Sequence, residues 1–303
     1  MMNLRICSLA VYVLTIIVLG TIKAIGAEAA QDPHRLSDYF ARVRETTLSS
    51  LVGRFIVVGS HPVTGKTYRG SIVVTRQGDR LQVEELIDGK TRIGTGTIEF
   101  EPETPTLEVV FETSGIRAAY ETWPSGAKRQ QPRASGWVWL ANGDDHGRDR
   151  LGMEVWYDDQ PPPNPASFQT QIDSIVKTQI KTDAELQQIF IGDYRIVGED
   201  TGTGRIYTGK VRVQLTGKQL TIHGSIDGKV ARGEMVRFAD WTSMLIKYRV
   251  GAQSMLSFAG GYGVGDNYPR ICGYFYPLSD PGHVVPNSSP RLETWFFDWK
   301  ASD

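Results

Sequence analysis

From residue 53 onward the chain alternates apolar and polar residues in short runs, and glycine-bearing turns separate the runs. In an extended strand, Val211, Val213 and Leu215 face one side while Lys210, Arg212 and Gln214 face the other. Leu107, Val109 and Phe111 alternate with Glu108 and Glu112 in the same way. Such runs predict strands near 53–58, 68–75, 80–87, 91–99, 106–112, 116–123, 135–141 and 150–157. A second set falls near 192–198, 207–215, 219–225, 229–237, 242–249, 252–258, 270–276 and 291–299. Asp88-Gly89 and Asp227-Gly228 are two-residue hairpin signals, because such turns need positive φ. Two segments read differently. His34–Leu51 places Leu36, Phe40, Val43 and Leu48 at helical spacing. A stiff Pro161-Pro162-Pro163 stretch with Pro165 leads into a polar helical run from Ser167 to Phe190.

The two sets of strands are copies of one another. A shift of 139 residues lays Gly53–Gly94 on Gly192–Gly233 without a gap, and 15 of the 42 positions are identical. The same shift lays Glu154-Val155-Trp156 on Glu293-Thr294-Trp295. One register holding in segments so far apart marks a duplicated domain. Eight short, hairpin-linked strands per copy with no helix between them suit a barrel that closes on itself and leaves no edge. The regular connections favour that form over a two-sheet sandwich. The predicted fold is all-β: two tandem eight-stranded antiparallel up-and-down barrels of lipocalin/avidin type, each preceded by a short helix. The expected segments are 1–29, a signal peptide; 30–160, helix and first barrel; 161–190, Pro-rich linker and helix; and 191–303, the second barrel.

The start of the chain changes where this protein is expected to work. Arg5 precedes an apolar run from Ile6 to Ile22, and Ala27-Glu28-Ala29 offers a processing site. This order predicts export to the periplasm or beyond, with an uncleaved membrane anchor as the rival reading. Cys7 lies inside the apolar run, so Cys272 is the only thiol of the mature chain, expected to be buried and inert. A formal net charge of −1 supplies no overall basic field for nucleic acid.

Candidate chemistry is sparse. Gly-x-Ser-x-Gly, His-Glu-x-x-His and Cys-x-x-Cys are all absent from the sequence. Ser174-Ile175-Val176-Lys177 matches Ser-x-x-Lys but sits in the linker helix without companion motifs. Gly260–Asn267 is glycine-rich, yet no helical pattern follows it, so it reads as a hairpin loop unique to the second copy. Asp144, Asp145, His146 and Asp149 have the composition of a solvated turn and lack the spacing of a calcium loop. No metal or cofactor is expected. The repeated Glu-x-Trp is the best site candidate. Residues two apart share a strand face, so Glu154 lies beside Trp156 and Glu293 beside Trp295. If that face is lumenal, each carboxylate needs a partner such as an arginine or a bound ligand. If it is the outer face, the indoles pack on a neighbouring element. Tyr68 and Tyr207, which follow a Gly-x-x turn in both copies, complete the candidate set.

The segment Gly53–Gly59, Gly65–Gly70, Asp88-Gly89 and Gly94-x-Gly96 resembles the β-barrel domain in the large subunit of quinohemoprotein amine dehydrogenases. The segment Gly192–Gly198 with Gly204–Gly209 is similar to the same domain. The resemblance covers about forty residues of each copy and implies the lipocalin/avidin-like barrel. Haem chemistry does not carry over, because those enzymes hold haem through Cys-x-x-Cys-His, which this chain lacks. The expected function is therefore non-enzymatic binding or scaffolding outside the cytoplasm. The alternatives are an accessory subunit of a periplasmic redox enzyme and a lipocalin-like carrier of a small ligand. The expected partner is a small apolar or aromatic ligand or another protein, not nucleic acid, and a membrane only if the first segment stays uncleaved.

Overall fold

A computed structural model describes residues 33–101, 104–122, 132–141, 151–177, 188–237, 243–262, 270–279 and 282–298. Helix α1 (Pro33–Leu51) leads into β1 (Gly53–Ser60), β2 (Thr67–Gln77), β3 (Arg80–Ile87) and β4 (Lys90–Glu101). Then come β5 (Thr104–Phe111), β6 (Ile116–Thr122), β7 (Ala134–Leu140) and β8 (Gly152–Asp158). Helix α2 (Pro165–Lys177) follows, then β9 (Gly192–Asp200), β10 (Arg205–Thr216), β11 (Gln219–Ile226) and β12 (Lys229–Arg237). The chain closes with β13 (Ser243–Val250), β14 (Gln253–Tyr262), β15 (Arg270–Leu278) and β16 (Arg291–Phe297). Within each set of eight, every strand pairs antiparallel with the next, and β8 returns to β1 as β16 returns to β9. Both sheets are closed barrels of eight strands, as the pattern predicts.

Local chemistry explains the corners. Asp88 and Gly89 adopt φ of 50° and 73°, and Asp227 and Gly228 adopt 55° and 69°, as the hairpin turn requires. The aspartate in each turn is bound by a cation at the entry of β2 or β10: Lys66 to Asp88 at 3.0 Å, Arg205 to Asp227 at 2.5 Å. Alternation then sorts the faces. Leu107, Val109 and Phe111 are fully buried inside the first barrel, and Val211 and Val213 inside the second. Leu215, at the end of that row, remains 38% exposed because the strand has run past the packed interior. Leu48 and Leu51 close the first core and Phe190 the second. Of the predicted run Ser167–Phe190, the helix reaches Lys177, residues 178–187 lie outside the described residues, and Gln188–Phe190 is a single 3₁₀ turn.

Both barrels belong to one compact unit, Thr47–Asp303. β8 and β16 show why. They are buried on both faces, so their outward residues cannot face water. Val58, Met153 and Tyr157 of the first copy meet Val197, Leu292 and Phe296, which are the same positions of the second. Equivalent patches pressed together are the pattern of an isologous contact, here within one chain. The Tyr157 and Thr294 hydroxyls lie 2.5 Å apart across it, and Arg69 reaches Glu199 at 2.8 Å. Helix α2 seals one side. Asn164 caps its first turn through Ala166 N–H at 2.8 Å, and Phe168 stacks on Tyr276 at 4.3 Å.

Candidate functional site

Tyr68, Gly59 and Glu154 stand opposite one another across β2, β1 and β8, as do Tyr207, Gly198 and Glu293 across β10, β9 and β16. The glycine between them is what lets the tyrosine cross. A Cβ on Gly59 would lie 2.5 Å from the Tyr68 ring, and one on Gly198 would lie 2.7 Å from the Tyr207 ring. Each phenol therefore passes over its glycine and donates to the carboxylate two strands away, at 2.5 Å in the first barrel and 2.7 Å in the second. The Glu-x-Trp face is lumenal in both copies. Trp156 Nε1 donates to Glu154 at 3.0 Å, and Trp295 Nε1 donates to Glu293 at 2.8 Å. The structure thus brings together Tyr68, Glu154 and Trp156 in one lumen and Tyr207, Glu293 and Trp295 in the other, all of them buried.

Three further partners complete the first site and were not visible in the repeat. Tyr120 also donates to Glu154, Arg92 Nη2 reaches it at 3.0 Å, and Arg92 Nε pairs with Glu85. Both carboxylates are fully buried. Burial and the neighbouring Glu154 charge push the Glu85 carboxyl well up, with Arg92 opposing. Two acids facing one guanidinium in a dry interior favour retaining one proton. Burial lowers Arg92, but Glu154 and Glu85 outweigh it and keep the guanidinium charged. Tyr68 and Tyr120 are raised, by burial first and by Glu154 next, so they act as donors.

The second lumen solves the same problem with different residues. Tyr248 donates to Glu293 at 2.5 Å from β13, whereas Tyr120 stands on β6. Positions 85 and 92 correspond to Gly224 and Ala231, and the arginine near the carboxylate comes from β16 as Arg291, buried over the Tyr207 ring. Burial pushes Glu293 up, while the bonds from Tyr248, Tyr207 and Trp295 and the charge of Arg291 hold it down. Aromatic rings flank both carboxylates. Trp156 lies 4.6 Å from Tyr120 and stacks on Phe55 at 6.3 Å; Trp295 lies parallel to Phe275 at 6.0 Å and 6.2 Å from Tyr248. The available sequence signal for Glu85 and Arg92 was a charge at an inward position of a predicted strand.

Glu85 carries a pH signature. A carboxyl raised in the folded state contributes stability below its unfolded value of about 4.3 and loses it as pH rises through the folded value. Thermal melts of the wild type are therefore expected to fall relative to Glu85→Gln as pH rises from 4 to 8. A constant difference between the two proteins would show that Glu85 holds no proton.

The other sequence candidates are not drawn into either lumen. Cys272 is buried on the outer face of β15, where burial pushes its thiol up to about 12, so it is poorly nucleophilic. Ser174 and Lys177 occupy the last turn of α2. Segment 1–29, Asp144, Asp145, His146, Asp149 and residues 263–267 of the glycine-rich loop lie outside the described residues. Comparison of the chain with models of known protein families and with curated proteins found no match.

Proposed function

We propose that this chain is a non-catalytic extracytoplasmic binding or scaffolding protein whose two lumens are structural cores and whose outer faces meet its partners. One observation carries the reading. Glu154 and Glu293 already take their donors from their own barrels, and aromatic rings lie beside both. Eight-stranded barrels either fill their interior with side chains or hold one small ligand, and this packing favours the first arrangement. The closed eight-stranded barrel serves as a rigid support, because function follows the site and not the fold. The apolar, small-residue-ended first segment supports export.

A titration of the mature chain with a neutral apolar fluorophore, N-phenylnaphthylamine, separates this from a carrier. No saturable binding and no quenching of tryptophan emission are expected up to high micromolar probe. Saturation at one or two probes per chain with quenching would overturn the filled-core reading and restore the small-ligand carrier.

A further inference from the structure

The outer face of the second barrel differs from that of the first in a way that packing does not explain. Arg212, His223, Arg232 and Arg249 stand directly opposite one another on four adjacent strands, β10 to β13. All four are outward and exposed, about 4.8 Å apart from strand to strand. Like charges directly opposite each other across strands are destabilising, so the Arg232–Arg249 pair weakens the sheet that carries it. Among the described residues, Arg212 of this row pairs with a carboxylate, Asp193 at 2.6 Å. In the first copy Val73, Glu84 and Ile93 stand opposite one another at the corresponding places on β2, β3 and β4, so the duplicated fold does not need the row.

The row also borders a concavity. A groove of about 240 Å³ is lined by Arg232, Arg249 and Lys247, with Thr221, Ser254, Gln219 and Glu234 as hydrogen-bonding walls. Glu234 accepts from Gln219 at 2.5 Å and stands directly opposite Lys247 on β13. A dense polyphosphate would be repelled by that carboxylate. A chain with spaced carboxylates and many hydroxyls meets both requirements, its acids on the guanidinium forks and its hydroxyls on Glu234, Thr221 and Ser254. We propose that this face binds an acidic polysaccharide of the uronate type along the Arg232–Arg249 row. The proposal rests on the outer-face reading above and names its partner class.

The test is calorimetric titration of the full mature chain with oligogalacturonate at low and high salt. Saturable binding is expected, lost in 0.5 M sodium chloride and weakened about ten-fold in Arg232→Ala/Arg249→Ala, since ten-fold is a modest energy for two charge-assisted contacts. Lys247→Ala serves as a second variant; these side chains are exposed, so circular dichroism should be unchanged. The proposal fails if oligogalacturonate does not bind, if uncharged maltohexaose binds as well, or if the double variant binds like wild type. It fails equally if duplex DNA or anionic vesicles bind more tightly than the uronate. None of these outcomes bears on the filled lumens, which the apolar titration decides alone.

Discussion

Glu154→Ala is expected to remove about 4 kcal/mol of stability, the scale of breaking a buried charged cluster by deleting one member. Four donors converge on this side chain: Tyr68, Tyr120, Trp156 and Arg92. Alanine would leave all four in a dry interior, and each unsatisfied donor costs about 1–3 kcal/mol when it finds no water. Glu85 then remains as a carboxylate partner of Arg92, which softens the loss and keeps it below the simple sum. Glu293→Ala should cost less, about 3 kcal/mol, because its carboxylate carries three donors and the Arg291 charge lies at greater remove. Glu154→Gln keeps an acceptor but turns an amide N–H₂ toward donors, so an intermediate loss is expected. Denaturant titration reads all three. A loss under 1 kcal/mol in Glu154→Ala would mean that water enters the lumen freely and that the core is not filled.

Phe296→Ala is expected to cost about 4 kcal/mol, within the range for truncating a buried phenylalanine, and to uncouple the two barrels. Its ring lies 5.1 Å from Trp137 of the first barrel and carries the Arg270 guanidinium at 5.1 Å. Arg270 in turn faces Glu121 of the first barrel at 3.5 Å, so losing the ring also loosens a buried ion pair between the copies. Scanning calorimetry of the wild type should show one transition, because the barrels share an interior surface. In Phe296→Ala two transitions should separate. A single sharp transition with little loss would show that the contact contributes no coupling.

Much of this was legible in the chain alone. The strand runs lie within a few residues of β1–β16, and the 139-residue register joins Tyr68 with Tyr207, Glu154 with Glu293 and Trp156 with Trp295 in equivalent places. The lumenal-or-outer choice for Glu-x-Trp stayed open, because alternation assigns residues to two faces without saying which face turns inward. β8 and β16 made that choice hardest, since Val155, Tyr157 and Phe296 on the opposite face are buried too.

The sequence by itself determined two closed barrels, their turns and their shared register, because Asp-Gly corners and a period of two act between neighbours along the chain. Only the tertiary structure decided who satisfies the lumenal carboxylates and what the outward faces touch. Closure brings any inward position at the right height near the axis, so the second tyrosine arrives from β6 in one copy and β13 in the other, and the arginine from β4 or β16. A repeat records equivalent positions, and these partners are not equivalent. Burying the second face of β8 against that of β16 needed both copies folded, which no local pattern contains.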